Sequence, residues 1–143
     1  MKKYLILVKH SQPDVVENIP ARGWILSKVG RTRARQLVAR LQPYKPEVII
    51  SSVEPKAVET AEILARGLSV PMIIVKNLHE HDRSNTTYLP RDNFEATIRE
   101  FFDNSDKLVF GTETADQSHA RFDKALRSVL NKHENQTIAI VSH

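Results

Sequence analysis

Cysteine is absent from the 143 residues, which excludes disulfides, thiol catalysis and cysteine-ligated metal. Only four glycines occur, and none builds a phosphate-cradling glycine loop with lysine or a dinucleotide fingerprint. Long hydrophobic runs are missing too. The N-terminal run, residues 4–8, is cut by Lys9 and is too short for a signal segment or a membrane span. The expected setting is therefore cytoplasmic, with no membrane partner. Neither an internal repeat nor a low-complexity segment interrupts the chain.

What is present is an ordinary globular composition, 41% hydrophobic and 27% charged, long enough for one domain and too short for two. The net charge of +4 suits an anionic partner, a phosphorylated metabolite as readily as nucleic acid. No aromatic or groove-reading motif accompanies Arg31 and Arg35, which are expected on a solvated helix face, so no nucleic-acid partner is expected. A homo-oligomer is left open.

Four short apolar runs alternate with stretches of helical periodicity. Strands are expected at residues 4–10, 47–50, 71–75 and 137–141. The first reads as buried on both faces, as in the middle of a parallel sheet. Ser27 is the expected N-cap of a first helix carrying Ala34, Leu37, Val38 and Leu41 inward. Pro55 opens a second, with Ala57, Val58, Ala61 and Leu64 inward and Gly67 as its stop. Asp92 with Glu95, and Thr114 with Gln117, have capping-box spacing. The third helix would bury Phe94, Ile98, Phe101 and Phe102, and the fourth Phe122, Ala125, Leu126, Val129 and Leu130. Residues 104–114 read as loop or a short strand. This alternation predicts an α/β three-layer sandwich: a mostly parallel central sheet with helices on both faces.

Parallel strands place their carboxyl ends along one edge, where ligands bind in open α/β sheets. That edge would collect Lys9, His10 and Ser11, then Ser51 and Ser52, then Glu80, and finally His143. Two imidazoles, cations and one carboxylate suit phosphoryl transfer. A neutral imidazole is a good nucleophile at pH 7, cations offset charge on phosphoryl oxygens, and a carboxyl can protonate the leaving oxygen. Glu113 is a competing carboxylate. His79 and His81 flank Glu80, but no third ligand at a diagnostic spacing follows, so no metal is expected. Ser51 and Ser52 lack the glycines of a nucleophile elbow.

Five motifs stand in order: Lys9-His10-Ser11; Leu26-Ser27-Lys28-Val29-Gly30; Ser51-Ser52 with Lys56-Ala57 and Thr60-Ala61; Leu78-His79-Glu80; and Val141-Ser142-His143. Together they resemble the histidine phosphatase superfamily, the phosphoglycerate-mutase-like fold, along nearly the whole chain. The resemblance implies a metal-independent phosphomonoesterase that needs no cofactor and acts on a small phosphorylated substrate. In it His10 becomes phosphohistidine, Glu80 is the general acid and base, and His143 bonds the phosphoryl oxygens. Lys9, Ser11 and Lys56 would bind substrate, and Arg83 is added as a further phosphate contact. Lys9 and Lys56 stand where the family has arginines. Losing one bidentate fork costs on the order of 1–3 kcal/mol, or roughly ten- to a hundredfold in rate. The alternatives are a catalytically weak phosphate-ester binding protein on the same fold and a phosphoglycerate-mutase-type phosphotransferase. Residues 1–143 are expected to form a single histidine-phosphatase-like domain lacking its C-terminal elements.

Overall fold

The apolar runs pair side by side while the periodic segments coil and lie across them. The computed structural model describes residues 3–143. Strands β1 (Leu5–Lys9), β2 (Val48–Ser51), β3 (Met72–Ile74) and β4 (Ile138–Ser142) alternate with four helices. These are α1 (Lys28–Leu41), α2 (Pro55–Leu68), α3 (Arg91–Asp103) and α4 (Ala115–Lys132), with α3 and α4 consecutive. The sheet is wholly parallel, in the order β1-β4-β2-β3. On one face Val8, Ile49, Ala139 and Val141 pack with Leu41 of α1 and Ala57, Ala61 and Leu64 of α2. On the other, Val48, Ile50, Ile138 and Ile140 pack with Leu78 and with Ala125 and Val129 of α4. The three-layer sandwich expected from the alternation is therefore formed. Among the described residues no helix is long and apolar enough to cross a membrane.

The first strand is not where its composition placed it. β2 is buried throughout and β4 in all but its last residue, whereas β1 pairs only with β4 and forms an edge. Leu5 and Leu7 are 42% and 65% exposed, on the side of the sheet that α4 covers only over β2 and β4. Apolar content thus reported β-propensity here and not burial.

Helix starts follow local chemistry where a side chain reaches the backbone. Ser27 accepts from the Gly30 amide, and Thr114 with Gln117 forms the expected reciprocal capping box. The Asp92–Glu95 box does not form. Pro90, at φ −54°, starts α3 one residue early, and Glu95 instead accepts from Arg91 at 2.8 Å. Phe101 is buried in α3, but Phe102 is 68% exposed. Gly67 does not stop α2, which runs to Leu68 and ends on Ser69 in the left-handed region, φ 56°. The role of Gly67 is close packing: a Cβ there would lie 2.6 Å from Val38 on α1. Arg31 is not merely solvated but pairs with Glu59 of α2 at 2.7 Å.

Gly30 bears directly on the site. Its carbonyl accepts from the Ser11 hydroxyl at 2.7 Å, and an added Cβ would sit 2.1 Å from the Gln12 carbonyl oxygen. Contact that tight between helix α1 and the loop after β1 tolerates only hydrogen. Gly30→Ala is accordingly expected to destabilise the fold by about 1–3 kcal/mol through overpacking, against a helix-propensity gain of about 1 kcal/mol. A fall in the urea midpoint checks this; a rise would mean the loop yields freely.

Candidate active site

Register brings the two histidines together. Lys9 of β1 lies opposite Ser142 of β4, and the His10 amide donates to the Ser142 carbonyl at 2.8 Å. One residue past each strand, the rings of His10 and His143 meet edge to face with centroids 5.1 Å apart. Just past β2, Ser52 joins them: its amide donates to Val141 O and its hydroxyl lies 2.8 Å from His143 Nε2. The result is an open cavity of about 450 Å³ whose walls include Lys9, His10, Ser11, Lys56, Glu80, Arg83 and His143.

Both imidazoles are held neutral. His10 Nδ1 lies 2.7 Å from the Ser11 carbonyl, which can only accept, so the proton sits on Nδ1 and Nε2 keeps its lone pair. Burial lowers the His10 pKa against the pull of that carbonyl, and the charges of Lys56 and Lys9 lower it further. Burial also pushes His143 down to about 3, the charge of Glu80 notwithstanding. His143 Nδ1 is buried without a hydrogen-bond partner, 3.7 Å from a Glu54 oxygen and 3.8 Å from a Glu80 oxygen. Two nearby carboxylates favour the proton on that nitrogen, with the Ser52 hydroxyl donating to Nε2.

Lys56 is the most constrained charge in the molecule's centre, its side chain only 2% exposed. Its ammonium donates to Ala21 O at 2.8 Å and to Glu80 Oε1 at 3.2 Å, and lies 2.7 Å from Glu54 Oε2. Two hydrogen bonds and the charge of Glu54 thus compensate the ammonium, as a buried cation requires. Burial works to raise the Glu80 pKa, but the charge of Arg83 and the charge and hydrogen bond of Lys56 outweigh it and leave the pKa lowered. Oxygen and nitrogen atoms of Glu54, Glu80 and His143 lie within 4.8 Å of one another and have the chemistry of a cation site. The Lys56 ammonium already sits against both of those carboxylates, so a metal would have to displace a fixed positive charge.

The remaining expected residues fall at or around the cavity. Lys9 is exposed on its wall. Ser11 donates its hydroxyl to Gly30 O and its amide to Thr60 Oγ1 at 3.0 Å, so it locks the loop that carries the His10 backbone. Arg83 lies 3.4 Å from Glu80 Oε1 with its guanidinium 4.7 Å over the Phe94 ring. His81 turns away: its Nε2 donates to Glu113 O at 2.9 Å and its ring packs on Phe101 and Phe110. Neither His79 nor His81 belongs to the Glu54–Glu80–His143 group.

Two residues that were not site candidates support the site: Arg121 at the Glu80 loop and Glu54 beside Lys56. Arg121 of α4 donates to the carbonyls of Asn77, His79 and Glu80 at 2.9–3.0 Å, and Glu113 anchors it at 2.6 Å. Glu113 also accepts from the Asp82 amide at 2.9 Å, so this carboxylate braces the Glu80 loop from behind. Glu54, the other unannounced residue, compensates Lys56. Both roles depend on contacts between distant elements, and the sequence signals neither.

The sequence pattern of the histidine phosphatase superfamily, branch 1, matches residues 5–143. No curated protein sequence matches the chain. Among solved structures it is similar to mycobacterial glucosyl-3-phosphoglycerate phosphatase, with a TM-score of 0.78, 19% identity, and 97% of this chain and 73% of that one covered. It is similar to Bacillus stearothermophilus YhfR, with a TM-score of 0.77, 24% identity and the same 97% and 73%. Phosphoserine phosphatase from Entamoeba histolytica gives 0.78 at 18% identity, again over 97% and 73%. At these identities the structures establish a shared phosphoglycerate-mutase-like fold. The match over residues 5–143 goes further: the chain belongs to the histidine phosphatase superfamily.

Proposed function

We propose that the protein is a metal-independent phosphomonoesterase working through a phosphohistidine on His10. The observation that carries this reading is the pair of neutral imidazoles 5.1 Å apart, with the Glu80 carboxylate 3.8 Å from the second. His10 Nε2 attacks phosphorus as the bond to the ester oxygen breaks, and Glu80 supplies the proton that the departing alkoxide takes. Glu80 is ionised at neutral pH, but negative charge brought in by the ester beside it favours its protonated form. His143, through Nδ1–H, donates to a phosphoryl oxygen, and Lys9 and Arg83 lie at the cavity wall to offset charge. Glu80 then takes a proton from water, whose oxygen attacks the phosphorus and releases inorganic phosphate and His10. Membership of the superfamily supports this sequence of steps. The substrate class is a small phosphate ester.

A second reading, a phosphate-ester binding protein with slow turnover, is favoured by Lys56. Its ammonium is hydrogen-bonded to Ala21 O and Glu80 and paired in charge with Glu54, so much of its charge is already met before phosphate arrives. Turnover data separate the two readings.

Quenching during turnover with an alkaline denaturant is expected to trap acid-labile, base-stable phosphate on the wild-type protein and none on His10→Ala; equal trapping on both would sink the mechanism. Glu80→Gln should lower kcat by about 10²–10⁴-fold, checked under saturating substrate. The His10 pKa is lowered from its ordinary 6.5, so the nucleophile stays neutral at that pH and is lost only as pH falls through the lower value. The acid limb of kcat/KM against pH is therefore expected below 6.5; a limb above it would contradict the burial of His10.

A further inference from the structure

A second cavity, of about 260 Å³, adjoins the one that holds the histidines. Trp24, Arg83 and Phe94 belong to the walls of both, so the second cavity lies directly beside the reacting centre, with only these side chains between. Beyond them Tyr88, Leu89 and Phe110 close the second cavity. Its surface is chiefly carbon. Among the described residues, the two cations that line it are already engaged. Arg83 pairs with Glu80 and stacks on Phe94, and Arg91 pairs with Glu95 at 2.8 Å.

The wall nearest the phosphate site is rigid. The Trp24 indole donates to the carbonyls of Val16 and Ile19 at 3.0 and 2.9 Å, which fixes the plane of the ring. Its other neighbour is the Lys56 ammonium, 5.9 Å from the ring centroid. A fixed aromatic wall needs no ordering when a ligand arrives, which favours binding. An apolar cavity of roughly 150 Å³ is enough for a benzene ring, so this one has room for a ring and a short linker.

We propose that the second cavity receives the organic part of the ester and selects monoesters of aromatic or bulky apolar alcohols that carry no second anionic group. The inference rests on the phosphatase reading for turnover, while the binding preference stands on the cavity alone. An incoming carboxylate or second phosphate would meet walls that are chiefly carbon, with Arg83 committed to the phosphate already bound and Arg91 paired to Glu95 at the solvent edge, 87% exposed, and would lose its hydration with little compensation. An apolar group would leave water at no such cost.

The test compares phenethyl phosphate with glycerol phosphate on the full chain, by calorimetric binding and by kcat/KM. Both are alkyl esters with similar leaving groups, so a difference reports on the cavity and not on intrinsic reactivity. Phenethyl phosphate is expected to bind and to turn over about tenfold better or more, in line with burial of a ring's apolar area. Tyr88→Ala and Leu89→Gln are each expected to cut that preference several-fold. Equal binding of the two esters by the wild-type chain, or a preference untouched by both substitutions, overturns the assignment. Tighter binding of phenethyl phosphate with no inorganic phosphate released upholds the cavity's role and overturns the phosphatase reading instead.

Discussion

The hydrogen-bonded ladder between β1 and β4 is the constraint on which the site depends. These strands come from opposite ends of the chain, and parallel pairing in a single register sets Lys9 beside Ser142. A slip of one residue would turn one imidazole to the other face of the sheet, because side chains alternate along a strand. The register is secured from both sides: the His10 amide donates to Ser142 O, and the amide of Ser52, just after β2, donates to Val141 O. Nothing else in the chain needs to know where the second histidine lies.

Around that ladder the site solves a problem of charge. A lysine buried to 2% exposure is tolerable only with oxygens around it, and Glu54, Glu80 and Ala21 O provide them. The same contacts keep Glu80 ionised despite its burial and place its oxygen near His143. Arg121 repeats the device one layer further out, where three backbone carbonyls and Glu113 fix the loop that carries Glu80. The carboxylate is thus oriented from both ends, by an ammonium in front and a guanidinium behind.

Much of this was legible in the chain itself, for reasons that can be stated locally. Helix starts at Ser27 and Thr114 were readable because a capping side chain bonds a backbone amide three residues away. Strand ends were readable because apolar runs stop at polar residues, which is how His10, Ser51 and His143 were found. The misplaced features are those where a neighbour decides. Gly67 has the position of a helix stop, yet it serves the approach of Val38. Phe102 follows the periodicity of a buried stripe, yet most of its side chain is exposed. β1 has a core strand's composition and an edge strand's position.

The chain on its own determined the alternation of strands and helices, the family and the identity of the two histidines. Each of these depends on residue type and spacing over a few positions, which short-range sterics and hydrogen bonding convert directly into structure. Tertiary folding alone decided that Lys56 faces two carboxylates, that Glu113 braces where it had been a rival to Glu80, and that an apolar cavity opens beside the phosphate site. Those features arise where elements remote in sequence meet, and their energies are set by distance and burial, which no local pattern encodes.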